Sequence, residues 1–157
     1  MEIRNQVPSV QFKATNGLNT TFEHYRGQWL VIYFYPKDAT PGCTIEGCDF
    51  RDNEKAFALL NANIMGVSRD SLSSHEKFKA NQNFPFELIS DPEETLCQLF
   101  DVIKMKSMYG KQVRGIERST FIIDPNGSLR HVWRKVNVKG HVEEVLTELR
   151  SLQQAGL

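Results

Sequence analysis

The chain has 157 residues, 40% of them hydrophobic and 24% charged, with 19 basic side chains against 19 acidic ones. That composition excludes a disordered tail, a collagen-like repeat and a small disulfide-stapled scaffold, and the length suits one domain with a sizeable core. Zero net charge removes any global pull toward nucleic acid or an anionic membrane.

Val10 and Phe12 alternate with polar neighbours and Asn16-Gly17 is a turn signal, so the first 25 residues predict a short hairpin. Trp29 to Tyr35 is a β-branched and aromatic run of the kind that forms a strand buried on both faces, and Pro36 ends it. Thr40-Pro41-Gly42 offers a capping hydroxyl followed by proline at the first helical position. A helix is predicted from about Cys43 to Leu60, with Phe50 and Phe57 two turns apart on one face. Ile64 to Val67 follows as a strand, Leu72 to Asn81 as a helix and Phe86 to Ile89 as a strand. Asp91-Pro92 opens a predicted helix through Phe100, capped by Asp91. Thr120 to Ile123 and Leu129 to Val136 form a hairpin around the turn Asp124-Pro125-Asn126-Gly127. Val142, Val145, Leu146, Leu149 and Leu152 keep helical spacing in a last helix.

Strand, helix, strand, helix, then hairpin and helix imply an α/β fold with a mixed central sheet and helices on both faces. A thioredoxin-like arrangement with an N-terminal β-hairpin fits that order, although the pattern also admits other three-layer α/β folds. No apolar run approaches 18 residues, and the start, Met1 to Gln6, lacks a signal-peptide layout; a cytoplasmic protein is expected. Charge is unevenly spread: Gly42–Asp101 holds 5 basic and 11 acidic side chains, Val102–His141 holds 9 and 2. Two differently charged solvated faces account for this. The sharper reading is a local positive field, supplied by the second stretch, around a site.

Three cysteines in a reducing compartment point to catalysis, metal binding or simple burial rather than structural disulfides. Cys43 falls in the first turn of a predicted helix, just past the carboxyl end of a buried strand, where open α/β sheets place their sites. Unpaired N–H groups and the positive helix end there favour a thiolate. An ordinary thiol is only ~3% ionised at pH 7, so a cation and a hydroxyl donor are needed as well. Thr40 is the local donor candidate, and an arginine from elsewhere the cation. An inert Cys43 is disfavoured because helix starts are wet and polar.

Cys43 and Cys48 stand five residues apart. On an intact helix their Cα atoms lie roughly 8–9 Å apart on opposite sides of the axis, too far for a disulfide. Either the pair never bonds or the first turns unwind, and Gly47 between them makes unwinding easier. Zinc is disfavoured because His24, His75, His131 and His141 are isolated along the chain; neither a metal nor a cofactor is expected. Cys97 reads as a half-buried packing thiol, or alternatively as a second partner for Cys43. Glu46, one turn past Cys43, reads first as a solvated helix carboxylate, with pairing to an arginine as the alternative.

The segment Pro36-Lys37-Asp38-Ala39-Thr40-Pro41-Gly42-Cys43-Thr44 resembles the peroxiredoxin active site, whose P-x-x-x-T-x-x-C pattern falls on Pro36, Thr40 and Cys43. The second cysteine at Cys48 and the following Phe50-Arg51-Asp52 are similar to the bacterioferritin comigratory protein, or peroxiredoxin Q, subgroup. Gly115 to Asp124 resembles the family's strand bearing the active-site arginine, here Arg118. The resemblance implies a peroxidatic Cys43 and a resolving Cys48. Thr40 would bond thiolate and peroxide, and Arg118 would stabilise the thiolate and the leaving oxygen. Pro36 would shield the pocket, and backbone N–H groups at Gly42 and Cys43 would bind peroxide oxygens. It further implies a hydroperoxide substrate and thioredoxin or a similar dithiol as reductant. With no cysteine in the last helix, an intramolecular disulfide in a monomer is expected. A thiol–disulfide exchanger or redox sensor of the same fold, and a non-catalytic binding domain, remain the competing readings.

Overall fold

The computed structural model describes residues 1–155. Its central sheet has seven strands: β1 (Phe12–Ala14), β2 (Asn19–Thr20), β3 (Trp29–Phe34), β4 (Ala62–Ser68), β5 (Glu87–Ser90), β8 (Ser119–Ile123) and β9 (Leu129–Trp133). Their spatial order is β2-β1-β5-β4-β3-β8-β9. β3, β4 and β5 run parallel, while β8 and β9 and the N-terminal hairpin β1–β2 are antiparallel additions at the two sides. This mixed α/β sheet is thioredoxin-like, as the element order suggested.

Helices α1 (Pro41–Asp52), α2 (Glu54–Leu59), α3 (Leu72–Gln82), α4 (Thr95–Leu99) and α5 (His141–Ala155) complete the layers. The expected end of the last helix at Leu157 lies outside the described residues. Alternation along β3 divides the core. Ile32 and Phe34 join one apolar cluster with Leu96, Cys97 and Phe100; Val31, Tyr33 and Tyr35 join another with Cys43, Phe50, Phe57, Phe78 and Val145. Successive strand side chains point to opposite faces, so α4 covers one face and α1, α2, α3 and α5 the other.

Four expectations need correction. The single helix from Cys43 to Leu60 is two helices broken at Asn53, which ends α1 and precedes α2; Asn53 Nδ2 donates to the Asp49 carbonyl at 2.9 Å. The helix expected from Pro92 starts only at Thr95, after Glu94 in a left-handed conformation (φ 62°). The Asp91 carboxylate nevertheless accepts from the N–H groups of Leu96 (3.1 Å) and Cys97 (2.8 Å), so its capping role survives the shift. The strand expected to Val136 ends at Trp133. A separate hairpin of β6 (Ile103–Met108) and β7 (Lys111–Ile116) fills a stretch to which the sequence assigned no element. Among the described residues no helix is long and apolar enough to cross a membrane.

Candidate active site

Register explains how distant residues meet. β3 pairs antiparallel with β8 so that Phe34 faces Ser119. The carboxyl end of β3, leading into the Pro36–Thr40 loop, therefore lies beside the start of β8, and Arg118 immediately precedes that start. Its backbone is tied down by Val136 N–H, which donates to the Arg118 carbonyl at 3.0 Å. The result is contact across 75 residues: Arg118 Nη2 donates to Cys43 Sγ at 3.3 Å. Gly42 makes room for it, since a Cβ at that position would sit 3.2 Å from Arg118 Nη2.

The other arm of the guanidinium, Nη1, donates to Glu46 Oε1 at 2.7 Å. Glu46 is 0% exposed, so the solvated carboxylate first expected is instead the buried partner of the arginine. Burial pushes its carboxyl up to about 7, with the Arg118 charge and hydrogen bond working against that rise, and Oε2 has no hydrogen-bond partner among the described residues. Cys43 departs from expectation in one respect: it is only 1% exposed, among Tyr33, Phe50 and their neighbours, rather than wet. A buried thiol facing a guanidinium is still unlike an inert core cysteine, because the cation is already in place for a negative sulfur.

Thr40 takes the position before α1, but its hydroxyl does not cap the helix. It donates to the Lys37 carbonyl at 2.8 Å. Its one proton is thus engaged, leaving lone pairs that can accept, and the structure does not bring it to Cys43 as a donor. With no capping side chain and proline at the first position, the N–H groups of Gly42 and Cys43 stay open at a positive helix end. Pro36 lies half-buried where β3 leaves the sheet.

Cys48 is half-buried on the same helix, with Sγ 3.4 Å from Gln82 Oε1, and all three cysteines are free. α1 is continuous through Cys43 and Cys48. Gly47 does more than loosen it: a Cβ there would come within 2.4 Å of the Phe84 ring, so the helix lies against that aromatic only because the side chain is missing. Cys97 is fully rather than half buried, and its cluster lies on the sheet face opposite that of Cys43.

Sequence reasoning missed two groups near the site. His141 is hydrogen-bonded to Thr120 Oγ1 at 2.7 Å, and burial, with help from Arg118, pushes its ring down to about 4. Lys106 donates to the Ile116 carbonyl; burial and the Arg118 charge lower its ammonium, while Cys43 acts in the opposite sense. Lys106 and Arg118 thus give the second, basic stretch the local positive field considered above. Others in that stretch act structurally, such as Arg134, which donates to the Asp101 carbonyl at 2.7 Å.

Of groups that could hold a metal, Asp38, Asp70 and His75 converge to within 4.8 Å among the described residues. His75 Nδ1 and Asp38 Oδ2 already satisfy each other at 2.7 Å, which a cation would have to disrupt.

Residues 3–132 match the model of the AhpC/TSA family. The chain is 56% identical over 150 residues to peroxiredoxin Bcp of Xanthomonas campestris, covering 93% of this chain and 94% of that one. It is 49% identical over 154 residues to peroxiredoxin Bcp of Bacillus subtilis, covering 98% of each. Among solved structures it is similar to the Xanthomonas campestris bacterioferritin comigratory protein, studied for alkyl peroxide reduction in trapped intermediate and ligand complexes. There the TM-score is 0.89 at 49% identity, with 96% and 98% of the two chains covered. A cysteine variant of Xylella fastidiosa PrxQ gives a TM-score of 0.93 at 44% identity, covering 98% of both.

Proposed function

Because this chain belongs to the AhpC/TSA family and is a thiol peroxidase of the peroxiredoxin Bcp or Q kind, we propose that Cys43 is its peroxidatic cysteine and Cys48 its resolving one. One observation carries this reading: the Arg118 guanidinium, backed by buried Glu46, stands 3.3 Å from Cys43 Sγ.

The Cys43 thiolate attacks the hydroxyl oxygen of a hydroperoxide; an S–O bond forms and the O–O bond breaks. Cys43 becomes a sulfenic acid, and the departing alkoxide or hydroxide takes a proton and leaves as alcohol or water. Negative charge grows on the departing oxygen, where the Arg118 guanidinium and the free first-turn N–H groups of Gly42 and Cys43 are suitable fixed donors. The Thr40 hydroxyl, its own proton spent on Lys37, accepts from the peroxide O–H. Pro36 shields the pocket.

Resolution requires movement. In the intact helix the two cysteines cannot bond, so the first turns of α1 unwind and Gly47 parts from Phe84. Cys48 thiol then condenses with the sulfenic acid, releasing water and forming an intramolecular disulfide. Thioredoxin or a similar dithiol restores both thiols by exchange and is itself oxidised. The same reading takes residues 1–157 as one domain, monomeric and cytoplasmic. A sheet whose strands run from Phe12 to Trp133 supports the single domain, and both cysteines lying on one helix support the intramolecular disulfide.

Stopped-flow peroxide consumption tests the assignment. Cys43→Ser is expected to abolish turnover. Cys48→Ser is expected to retain a single oxidation event and leave a sulfenic acid that a dimedone probe traps. Turnover by Cys43→Ser at the wild-type rate would remove the proposal.

A further inference from the structure

The loop carrying Pro36 and Thr40 is fastened from below by a group that touches neither sulfur nor substrate. Asp38, in the middle of the loop, is buried. Its Oδ1 accepts from Tyr35 Oη at 2.6 Å; its Oδ2 accepts from Ser74 Oγ at 2.8 Å and meets His75 Nδ1 at 2.7 Å. Its backbone N–H donates to Asp70 Oδ2 at 2.9 Å. The same residue is thus held by the end of β3, by the loop after β4 and by the first turn of α3. Burial pushes the Asp38 carboxyl up, but hydrogen bonds from His75, Tyr35 and Ser74 and the His75 charge outweigh it, and Asp38 stays an acceptor below the usual carboxylate range.

His75 is itself 0% exposed, and its other nitrogen, Nε2, lies 2.8 Å from the Ile89 carbonyl on β5. A carbonyl can only accept, and so can an ionised carboxylate, so this ring donates from both nitrogens. It works as a rigid strut between β5 and the Pro36–Thr40 loop.

An independent observation shows what the strut holds. Ala39, between Asp38 and Thr40, has φ 61°, a left-handed conformation that is unfavourable for a residue with a Cβ. Such strain persists only where its surroundings over-determine it, and it gathers at functional sites. The Asp38 hydrogen bonds supply that determination on one side. On the other, the strained residue delivers Thr40 with its hydroxyl turned back onto Lys37.

We propose that His75 is a positioning residue for the peroxide reaction, acting through Asp38 to hold Ala39 in its strained conformation and so to place Thr40 at the mouth of α1. The proposal rests on the reading of Cys43 and Thr40 given above. It separates effects on peroxide geometry from effects on the sulfur, because the strut bears on the loop and not on Arg118.

Two isosteric substitutions test it. The amide of His75→Asn stands near Nδ1 and keeps the Asp38 bond; that of His75→Gln stands near Nε2 and keeps only the Ile89 bond. The second-order rate with hydrogen peroxide is expected to fall about 10- to 100-fold in His75→Gln. It should stay within about threefold of wild type in His75→Asn, and iodoacetamide alkylation of Cys43 should change by less than about twofold in either. Adding Ala39→Gly, which removes the strain, should restore part of the loss in His75→Gln. An equal fall in both variants, no fall in either, or parallel slowing of alkylation would overturn the proposal. Should the variants not fold, nitrogen NMR of the wild-type imidazole decides: a hydrogen-bonded proton on Nδ1 facing Asp38 supports the strut, and a bare Nδ1 refutes it. Turnover surviving Cys43→Ser would instead sink the site reading while leaving the NMR result standing.

Discussion

Cys43 and Cys97 make an instructive pair. Each is the third residue of its helix, and they are 1% and 0% exposed. Around Cys97 the Asp91 carboxylate takes up the N–H groups of Leu96 and of Cys97 itself, and burial together with that carboxylate raises the thiol well above its ordinary range. Around Cys43 no side chain among the described residues caps the helix, and a guanidinium nitrogen stands 3.3 Å from the sulfur. Burial and helix position are shared, so neither decides what a cysteine does. The sign of the adjacent charge, and whether the first-turn donors are already engaged, separates a sulfur ready to react from one that packs.

Removing the cation should therefore do most to erase the difference. Arg118→Met is expected to slow the stopped-flow reaction of Cys43 with hydrogen peroxide about 10²- to 10³-fold, or about 3–4 kcal/mol. It also strands Glu46 in the interior, which destabilises the fold for a separate reason. Arg118→Met/Glu46→Gln removes that second effect; if it recovers the peroxide rate, the charge beside the sulfur is not what matters.

Glu46 and His141, behind the site, give a second handle through pH. Glu46 is raised to about 7 from 4.5, so the native state holds its proton more tightly than the unfolded chain. Its favourable contribution is complete below about 4.5 and is lost as pH climbs toward 7. His141 is lowered to about 4 from 6.5, so the unfolded chain binds the proton first. Its contribution is complete above about 6.5 and is lost as pH falls toward 4. Between pH 5 and 6.5 the two slopes oppose each other, each at most about 1.4 kcal/mol per pH unit. Urea midpoints at pH 5, 6 and 7 should rise more steeply with pH in Glu46→Gln than in wild type, and less steeply in His141→Gln.

How much of this was legible follows from what each residue needs to be understood. Cys43, Thr40 and Pro36 lie within eight residues, and their relation to a strand end and a helix start is a local matter. Arg118 is 75 residues from its sulfur, and only the family resemblance nominated it, since periodicity says nothing about which strand start meets which strand end. Glu46 was misjudged because helical spacing gives the direction of a side chain without its partner. The break at Asn53 was hidden because Phe50 and Phe57 stay on the same core through it. The β6–β7 hairpin is hard to read because most of its side chains face solvent, Tyr109 being 99% exposed, and the alternation Ile103-Lys104-Met105-Lys106 is too short to mark a strand.

At Asp91 the expected effects are smaller and fall on stability. Asp91→Ala removes the acceptor for two N–H groups of α4 and should cost about 1 kcal/mol. For a chain of this length that is a fall of about 2–4 °C in Tm by differential scanning calorimetry. Losing the carboxylate also removes the Asp91 contribution to keeping the Cys97 thiol protonated, while its burial, the largest influence, and the Glu94 charge remain. Labelling by a bimane reagent in a Cys43→Ser/Cys48→Ser background should therefore stay slow. Fast labelling would mean that the carboxylate, rather than enclosure, silences Cys97.

The smallest effect is expected for the step in which Cys97 is the alternative to Cys48. Its sulfur lies in the cluster with Ile32 and Phe34, whereas Cys43 packs with Tyr33 and Tyr35 on the opposite face of β3. Bringing the two sulfurs to about 2 Å would mean passing one of them through the parallel core of the sheet, whereas Cys48 needs only the first turns of α1 to unwind. Cys97→Ala should leave both the peroxide rate and the rate of disulfide formation within about twofold of wild type, because neither step draws on the other face. Peptide mapping of the oxidised wild type should find Cys43 joined to Cys48. A Cys43–Cys97 bridge as the main product would mean that the sheet opens during turnover, and the contrast between the two cysteines would then describe the resting state alone.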